Sequence, residues 1–145
     1  MKIWFDMDGT IADLYGVDGW LEMLMAHDET PYAIAKPLVN LSVLARLMNK
    51  AQRNGWEICI VSALSKNSTP DYDERVIKAK KAWLGEHLKS VQFNEIRFVP
   101  YWFVKDDVNE GESGILFDDE DRHLTRWSGT AYHASKMIET LRAIA

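Results

Sequence analysis

Short apolar runs alternate along this chain with longer stretches in which apolar residues recur at helical spacing. Ile3-Trp4-Phe5 is apolar at three successive positions, the pattern of a strand buried on both faces, as in a parallel sheet. Residues 56–61, 96–99 and 115–117 repeat that pattern, and residues 130–133 read as a short fifth strand. Between the first two runs, Leu41, Leu44, Met48 and Ala51 recur at helical spacing with Leu47 alongside, which predicts a helix over residues 38–54 closed by Gly55. A second helix is expected over residues 72–88, with Val76, Ile77, Trp83 and Leu84 inward. A last helix is expected over residues 136–145, capped by Ser135, with Met137, Ile138 and Leu141 inward. A strand, a helix and a strand in succession form a right-handed unit with parallel strands. Residues 20–25 suggest one further short helix, ended by Thr30-Pro31. The segment containing it, residues 15–37, is too short for a domain and reads as a small helical cap inserted after the first strand.

Composition adds bounds. A chain of 145 residues, 47% hydrophobic with six Trp, is expected to fold as one domain over residues 1–145. The net charge of -5 argues against nucleic-acid binding driven by overall charge, though not against a local basic pocket. Cys59 is the single cysteine and lies in an apolar run, so no internal disulfide is possible and a reducing cytoplasm is the expected location. No apolar stretch is long enough to span a membrane, and the chain enters a strand at once, so no signal peptide is expected. There are no repeats and no low-complexity segment.

The chemistry sits at the ends of the strands. Asp6 and Asp8 follow the first run directly, and alternate side chains of an extended chain point to the same side. Both carboxylates can therefore converge at the carboxyl end of the strand, where open α/β sheets place their ligands, and Gly9 lets the chain turn sharply. Carboxylates held that close repel unless a cation lies between them, and hard oxygen ligands suit Mg2+. The run at residues 115–117 repeats the arrangement, delivering Asp118 and Asp119; Asp121 is an alternative outer acid, although Glu120 and Asp121 also fit a helix N-terminus. At 100° per residue, Lys80 falls inside the apolar stripe of its helix, Lys78 points away and Lys81 sits at the border. A lysine on an inward face needs a partner, either a phosphate or the sheet edge past which it snorkels. Tyr15, Trp20 and Tyr32 could stack on a base, but packing within the cap is the preferred reading. Residues 101–105 either continue the third strand or line a pocket, and residues 109–114 look like a small loop insertion. His123 and His133 have no metal partner at ligand spacing and read as structural or exposed.

The segment Asp6-Met7-Asp8-Gly9-Thr10-Ile11 resembles the first motif of the haloacid dehalogenase superfamily of aspartate-nucleophile phosphohydrolases. The resemblance implies a Rossmann-like three-layer α/β/α sandwich with a central parallel sheet and a very small cap. It implies that Asp6 is the nucleophile and Asp8 the general acid/base. Ser62, followed by Ala63, stands where the superfamily's second motif supplies a phosphate-binding hydroxyl. Asp118-Asp119 resembles the fourth motif, with Asp118 as metal ligand and Asp119 as a second ligand or its support. The run from Lys80 to Leu88 resembles the 5′(3′)-deoxyribonucleotidase branch, and so does the spacing from Asp121 to Trp127. In that branch Lys105 occupies the place of the third-motif lysine, which makes it the favoured phosphate lysine with Lys80 in support. Ser62-Ala63 departs from the Thr that usually opens this motif in the branch and from the Gly that follows it in many phosphatases.

These readings converge on a Mg2+-dependent phosphomonoester hydrolase with an aspartyl-phosphate intermediate, acting as a 5′-nucleotidase on nucleoside or deoxynucleoside monophosphates. Metal ligands would be Asp6, Asp118, Asp119 and the backbone carbonyl of Asp8. Ser62, Ala63, Lys105, Lys80 and the backbone around Met7 would hold the phosphate. The partner is thus a small phosphorylated molecule. A phosphorylated polynucleotide end, a phosphoprotein, a receiver-type phosphoacceptor role and a non-catalytic binding role remain alternatives.

Overall fold

The computed structural model describes residues 1–110 and 113–145. Gly111 and Glu112, in the expected loop insertion, lie outside the described residues. In chain order the elements are β1 (Lys2–Phe5), β2 (Ala12–Asp13), α1 (Trp20–Met25), α2 (Thr30–Ile34), β3 (Lys36–Pro37), α3 (Leu41–Arg53) and β4 (Glu57–Ala63). There follow α4 (Pro70–His87), β5 (Glu95–Val99), β6 (Ile115–Asp118), α5 (Asp121–Leu124), β7 (Thr130–His133) and α6 (Met137–Ile144). Tight 3-10 turns occupy Leu14–Gly16, Lys105–Asn109 and Ala134–Lys136.

Five strands form one sheet in the order β5-β4-β1-β6-β7, every neighbouring pair parallel. β1 is central, with Phe5 in register with Ile60 on one side and Phe117 on the other. The unbroken apolar runs follow from burial on both faces. Ile3, Phe5, Ile58, Ile60 and Phe117 pack under Leu44 and Met48 of α3, Trp83 and Leu84 of α4, and Met137 and Leu141 of α6. Trp4, Cys59, Val61 and Leu116 face the other way, against Val108 and Trp127. That second layer is thin, built from a 3-10 turn and the segment after α5 rather than from a long helix. The Trp127 indole fixes it by donating from Nε1 to the Gly114 carbonyl at 2.9 Å. The result is the expected α/β sandwich around a parallel sheet.

Local chemistry explains the boundaries. Asn40 caps α3 through Val43 N–H, and Thr69 caps α4 through Tyr72 N–H with Pro70 in the first turn, so α4 starts two residues ahead of expectation. Ser135 does not cap the last helix. It lies inside a 3-10 turn, where His133 Nδ1 accepts its N–H at 3.1 Å, and α6 starts behind that turn with no side-chain cap. The chain must turn immediately after β7, which leaves the capping to the last residue of that strand. Residues 101–105 do not continue β5: the chain turns after Pro100 and enters the 3-10 turn at Lys105.

Residues 12–37 carry the 3-10 turn, α1, α2 and the small antiparallel β2–β3 ribbon. They are clasped to the rest by α4 and the loop before it. Tyr72 Oη donates to the Asp28 carbonyl at 3.0 Å, Arg75 to the His27 carbonyl at 3.0 Å and to Glu29 Oε2 at 2.6 Å, and Asn67 to the Met25 carbonyl at 2.9 Å. Leu14, Leu24 and Tyr32 pack on Tyr72 and Val76 beneath these bonds.

Candidate active site

The strand order reverses direction between β1 and β6, and open α/β sheets bind ligands at that point, beyond the carboxyl ends of the strands. Asp6 follows β1 and Asp118 ends β6, so the topology puts both carboxylates on that edge. Asp6 N–H donates to the Phe117 carbonyl at 2.9 Å, which continues the pairing of the two strands into the site. Carboxylate oxygens of Asp6, Asp118 and Asp119 lie within 4.8 Å of one another. Asp121 sits in the first turn of α5, exposed, and is not part of this group.

Lys105 Nζ lies between two of these acids, 2.7 Å from Asp6 Oδ1 and 2.7 Å from Asp118 Oδ2. The remaining oxygens are partly engaged: Thr10 Oγ1 donates to Asp6 Oδ2 and the Glu120 N–H to Asp118 Oδ1, both at 2.9 Å. Asp119 Oδ1 is buried with no hydrogen-bond partner. Burial and the neighbouring charge of Asp6 push the Asp118 carboxyl up to about 6 and the Asp119 carboxyl up to about 8. Burial alone would lower the Lys105 ammonium, but Asp6 and Asp118 outweigh it and hold the group above its ordinary range. Gly9 adopts φ +84, and a Cβ there would collide with the Asp119 carboxylate. Glycine is thus required both by the turn and by the acid packed against it.

Asp8 is set apart from this trio. Its Oδ2 pairs with Lys80 Nζ at 2.9 Å. Lys80 is 1% exposed, as its place in the apolar stripe of α4 requires, and Lys78 and Lys81 are exposed. Its ammonium also donates to Ser62 Oγ and to the Ala63 carbonyl, each at 2.7 Å, and lies 4.8 Å from the centre of the Tyr32 ring. Burial raises the Asp8 carboxyl above its ordinary value, Lys80 opposes that, and Asp6 adds to it.

A cavity of about 670 Å³ opens over this edge. Of the expected catalytic, metal and phosphate residues, Asp6, Asp8, Ala63 and Lys105 line it; Asp118, Asp119, Ser62, Lys80 and Met7 lie behind its wall. Ser62 is fully buried because β4 runs two residues further than expected, pairing Ser62 with Phe98 and Ala63 with Val99. Met7 is buried too, and its carbonyl accepts from the N–H groups of Thr10, Ile11 and Ala12. Tyr15, Trp20 and Tyr32 all line the cavity; Tyr32 is buried, and Tyr15 and Trp20 meet edge to face at 4.9 Å. Ser65 and Lys66 also line the cavity and were not singled out from the sequence, and Tyr101 lines it in keeping with the pocket reading of residues 101–105. Ser and Lys after a strand are ordinary turn residues, and only the fold distinguishes them. His123 and His133 stand outside the acidic trio.

No family model matches this chain, and no curated protein matches it. Among solved structures, a D,D-heptose 1,7-bisphosphate phosphatase from Burkholderia thailandensis is similar at TM-score 0.52 and 13% identity, over 86% of this chain and 69% of that one. At that identity the likeness establishes the arrangement of the sheet and its flanking helices.

Proposed function

We propose that this chain is a Mg2+-dependent phosphomonoester hydrolase that forms an aspartyl-phosphate on Asp6, with nucleoside or deoxynucleoside monophosphates as its substrates. The observation that carries the reading is the placement of Asp6, Asp118 and Asp119 together at the switch point, with Asp8 two residues along and separately paired. The structural neighbour is a phosphatase built on the same sheet arrangement, which supports the reaction class.

The donor set fits a small hard cation. Three carboxylates converge, one buried oxygen of Asp119 has no partner, and the one ammonium among them balances a single charge. Asp6, Asp118 and Asp119 would hold Mg2+, which when bound supplies the positive charge that lets an anionic carboxylate approach an anionic phosphate. Asp6 attacks phosphorus in line: the Asp6 O–P bond forms, the P–O bond to the leaving group breaks, and the Asp8 carboxyl gives its proton to the departing oxygen. In the second half Asp8 takes a proton from water as that water attacks phosphorus. The Asp6 O–P bond breaks and inorganic phosphate leaves, with Asp8 protonated again. Lys105 and the chain at Ala63 face the cavity and are assigned to the phosphate oxygens. Tyr15, Trp20 and Tyr101 offer aromatic surface on which a base can stack, which favours a nucleotide.

The test is phosphate release from ribo- and deoxyribonucleoside 5′- and 3′-monophosphates, sugar phosphates and a 3′-phosphorylated oligonucleotide, with Mg2+ and with EDTA. Mg2+-dependent release confined to one nucleotide class is expected. Asp6→Asn should lower turnover by at least about a thousandfold, as loss of a nucleophile does. Substantial activity in that variant would overturn the assignment, and release from sugar phosphates alone would move the substrate class.

A further inference from the structure

The two buried lysines divide the acids between them. Lys105 takes Asp6 and Asp118, and it lines the cavity. Lys80 takes Asp8, and it does not reach the cavity wall. An ammonium has three N–H donors. Those of Lys80 have three acceptors within 2.9 Å: Asp8 Oδ2, Ser62 Oγ and the Ala63 carbonyl. No donor remains for a phosphate oxygen. The Tyr32 ring of α2 closes the remaining side of the group at 4.8 Å.

The geometry points to Lys80 as a positioning residue for Asp8, and not as a phosphate ligand. This rests on the reading of Asp8 as the acid that protonates the leaving group. Lys80 joins three pieces of chain: the turn after β1 through Asp8, the end of β4 through Ser62 and Ala63, and the inserted segment through Tyr32. It takes one oxygen of Asp8 and thereby fixes the orientation of the carboxyl on the cavity wall. Without it, the half-buried Asp8 carboxyl loses this ion pair and is free to turn away from the departing oxygen. An acid displaced by as little as ~1 Å from the atom it protonates loses much of its effect. Ser62 belongs to the same unit. Its hydroxyl oxygen accepts from Lys80 behind the wall, and not from a phosphate-facing position as its place after the second strand suggested.

A phosphate ligand and a positioner of the acid differ in one measurable respect. A leaving group that departs readily as an anion needs no proton, whereas an alkoxide does. We would measure kcat and KM for wild type, Lys80→Met and Lys80→Arg on 2,4-dinitrophenyl phosphate and on a nucleoside 5′-monophosphate. For Lys80→Met, kcat on the alkyl ester is expected to fall by about a hundredfold or more, within the usual range for general acid catalysis. The aryl ester is expected to lose less than about fivefold, with KM nearly unchanged on both. Lys80→Arg should recover part of the alkyl activity, since it restores a donor and a charge beside Asp8. In an Asp8→Asn background, Lys80→Met should add little further loss on the alkyl ester. Equal losses on the two esters with a raised KM would overturn the assignment and return Lys80 to the phosphate. Should Lys80→Met lose its thermal transition, Lys80→Gln, which keeps an N–H donor for Ser62 and Ala63, is judged by the same criterion. Wild-type enzyme inactive on both esters would instead overturn the phosphatase reading, and the role of Lys80 with it.

Discussion

His123 is buried, close enough to Lys105 and Arg122 to feel both charges. Burial first, and then those two cations, push its imidazole down to about 4, against the weaker opposing pull of Glu120 and Asp6. Below the ordinary value of 6.5 the unfolded chain takes up a proton that the folded chain refuses. Stability that is complete above about 6.5 is therefore lost as the pH falls towards 4. Melting temperatures measured across that window should fall less steeply for His123→Gln than for wild type. Asp119 gives the opposite sign. Its carboxyl is pushed up to about 8 by burial and by Asp6, so the folded chain holds a proton that the unfolded chain releases. The resulting penalty grows as the pH rises from about 4 to about 8 and then levels. In metal-free buffer Asp119→Asn should therefore melt above wild type, by more at pH 9 than at pH 5; an advantage independent of pH would contradict this cause. At this scale the sequence was partly legible. Asp6, Asp8 and Asp118 could be placed because strand ends are readable, and Lys80 because 100° arithmetic turns it inward. The separate pairing of Asp8 with Lys80 was not readable. It depends on how α4 packs on the sheet, and no local pattern carries that information.

The long elements were legible for the same reason they are stable: α3 and α4 bury a stripe, and the central strands bury both faces. The β2–β3 ribbon was not, because two-residue strands show no periodicity. Nor was the length of β4, since Ser62 and Ala63 are poor strand formers drawn in by pairing with β5. The inserted segment of residues 12–37 is held by few groups. The Arg75 side chain, 39% exposed, carries its bonds to His27 and Glu29 and a contact with Asp71. Ion pairs this open to solvent add little to global stability. Arg75→Ala should therefore leave the global melting temperature within about 2 °C of wild type. Amide exchange over α1 and α2 should nevertheless accelerate, because local opening costs less than global unfolding. Exchange unchanged in those helices would show that the apolar contacts of Leu14, Leu24 and Tyr32 suffice to hold them.

In a chain of net charge -5, the carboxyl groups of Asp6, Asp118 and Asp119 converge at one sheet edge. Any cation that binds the folded chain and not the unfolded one raises its stability in proportion to the logarithm of concentration. Mg2+ in the millimolar range should raise the melting temperature, EDTA should reverse the rise, and Asp119→Asn should abolish it. An equal rise in that variant would place the ion elsewhere. The central position of β1 carries a consequence for how the chain is made. β1 is made before either of its neighbours, and they come from distant parts of the chain: Ile60 can pair with Phe5 once β4 has been made, Phe117 only once β6 follows. Until then one side of β1 is an open edge, apolar on both faces and able to pair with another chain. Since the same late pairing brings Asp118 to Asp6, a nascent chain lacking β6 would be both unable to assemble the acidic trio and prone to stick to its neighbours. Synthesis of β6 closes the edge and completes the trio in a single event.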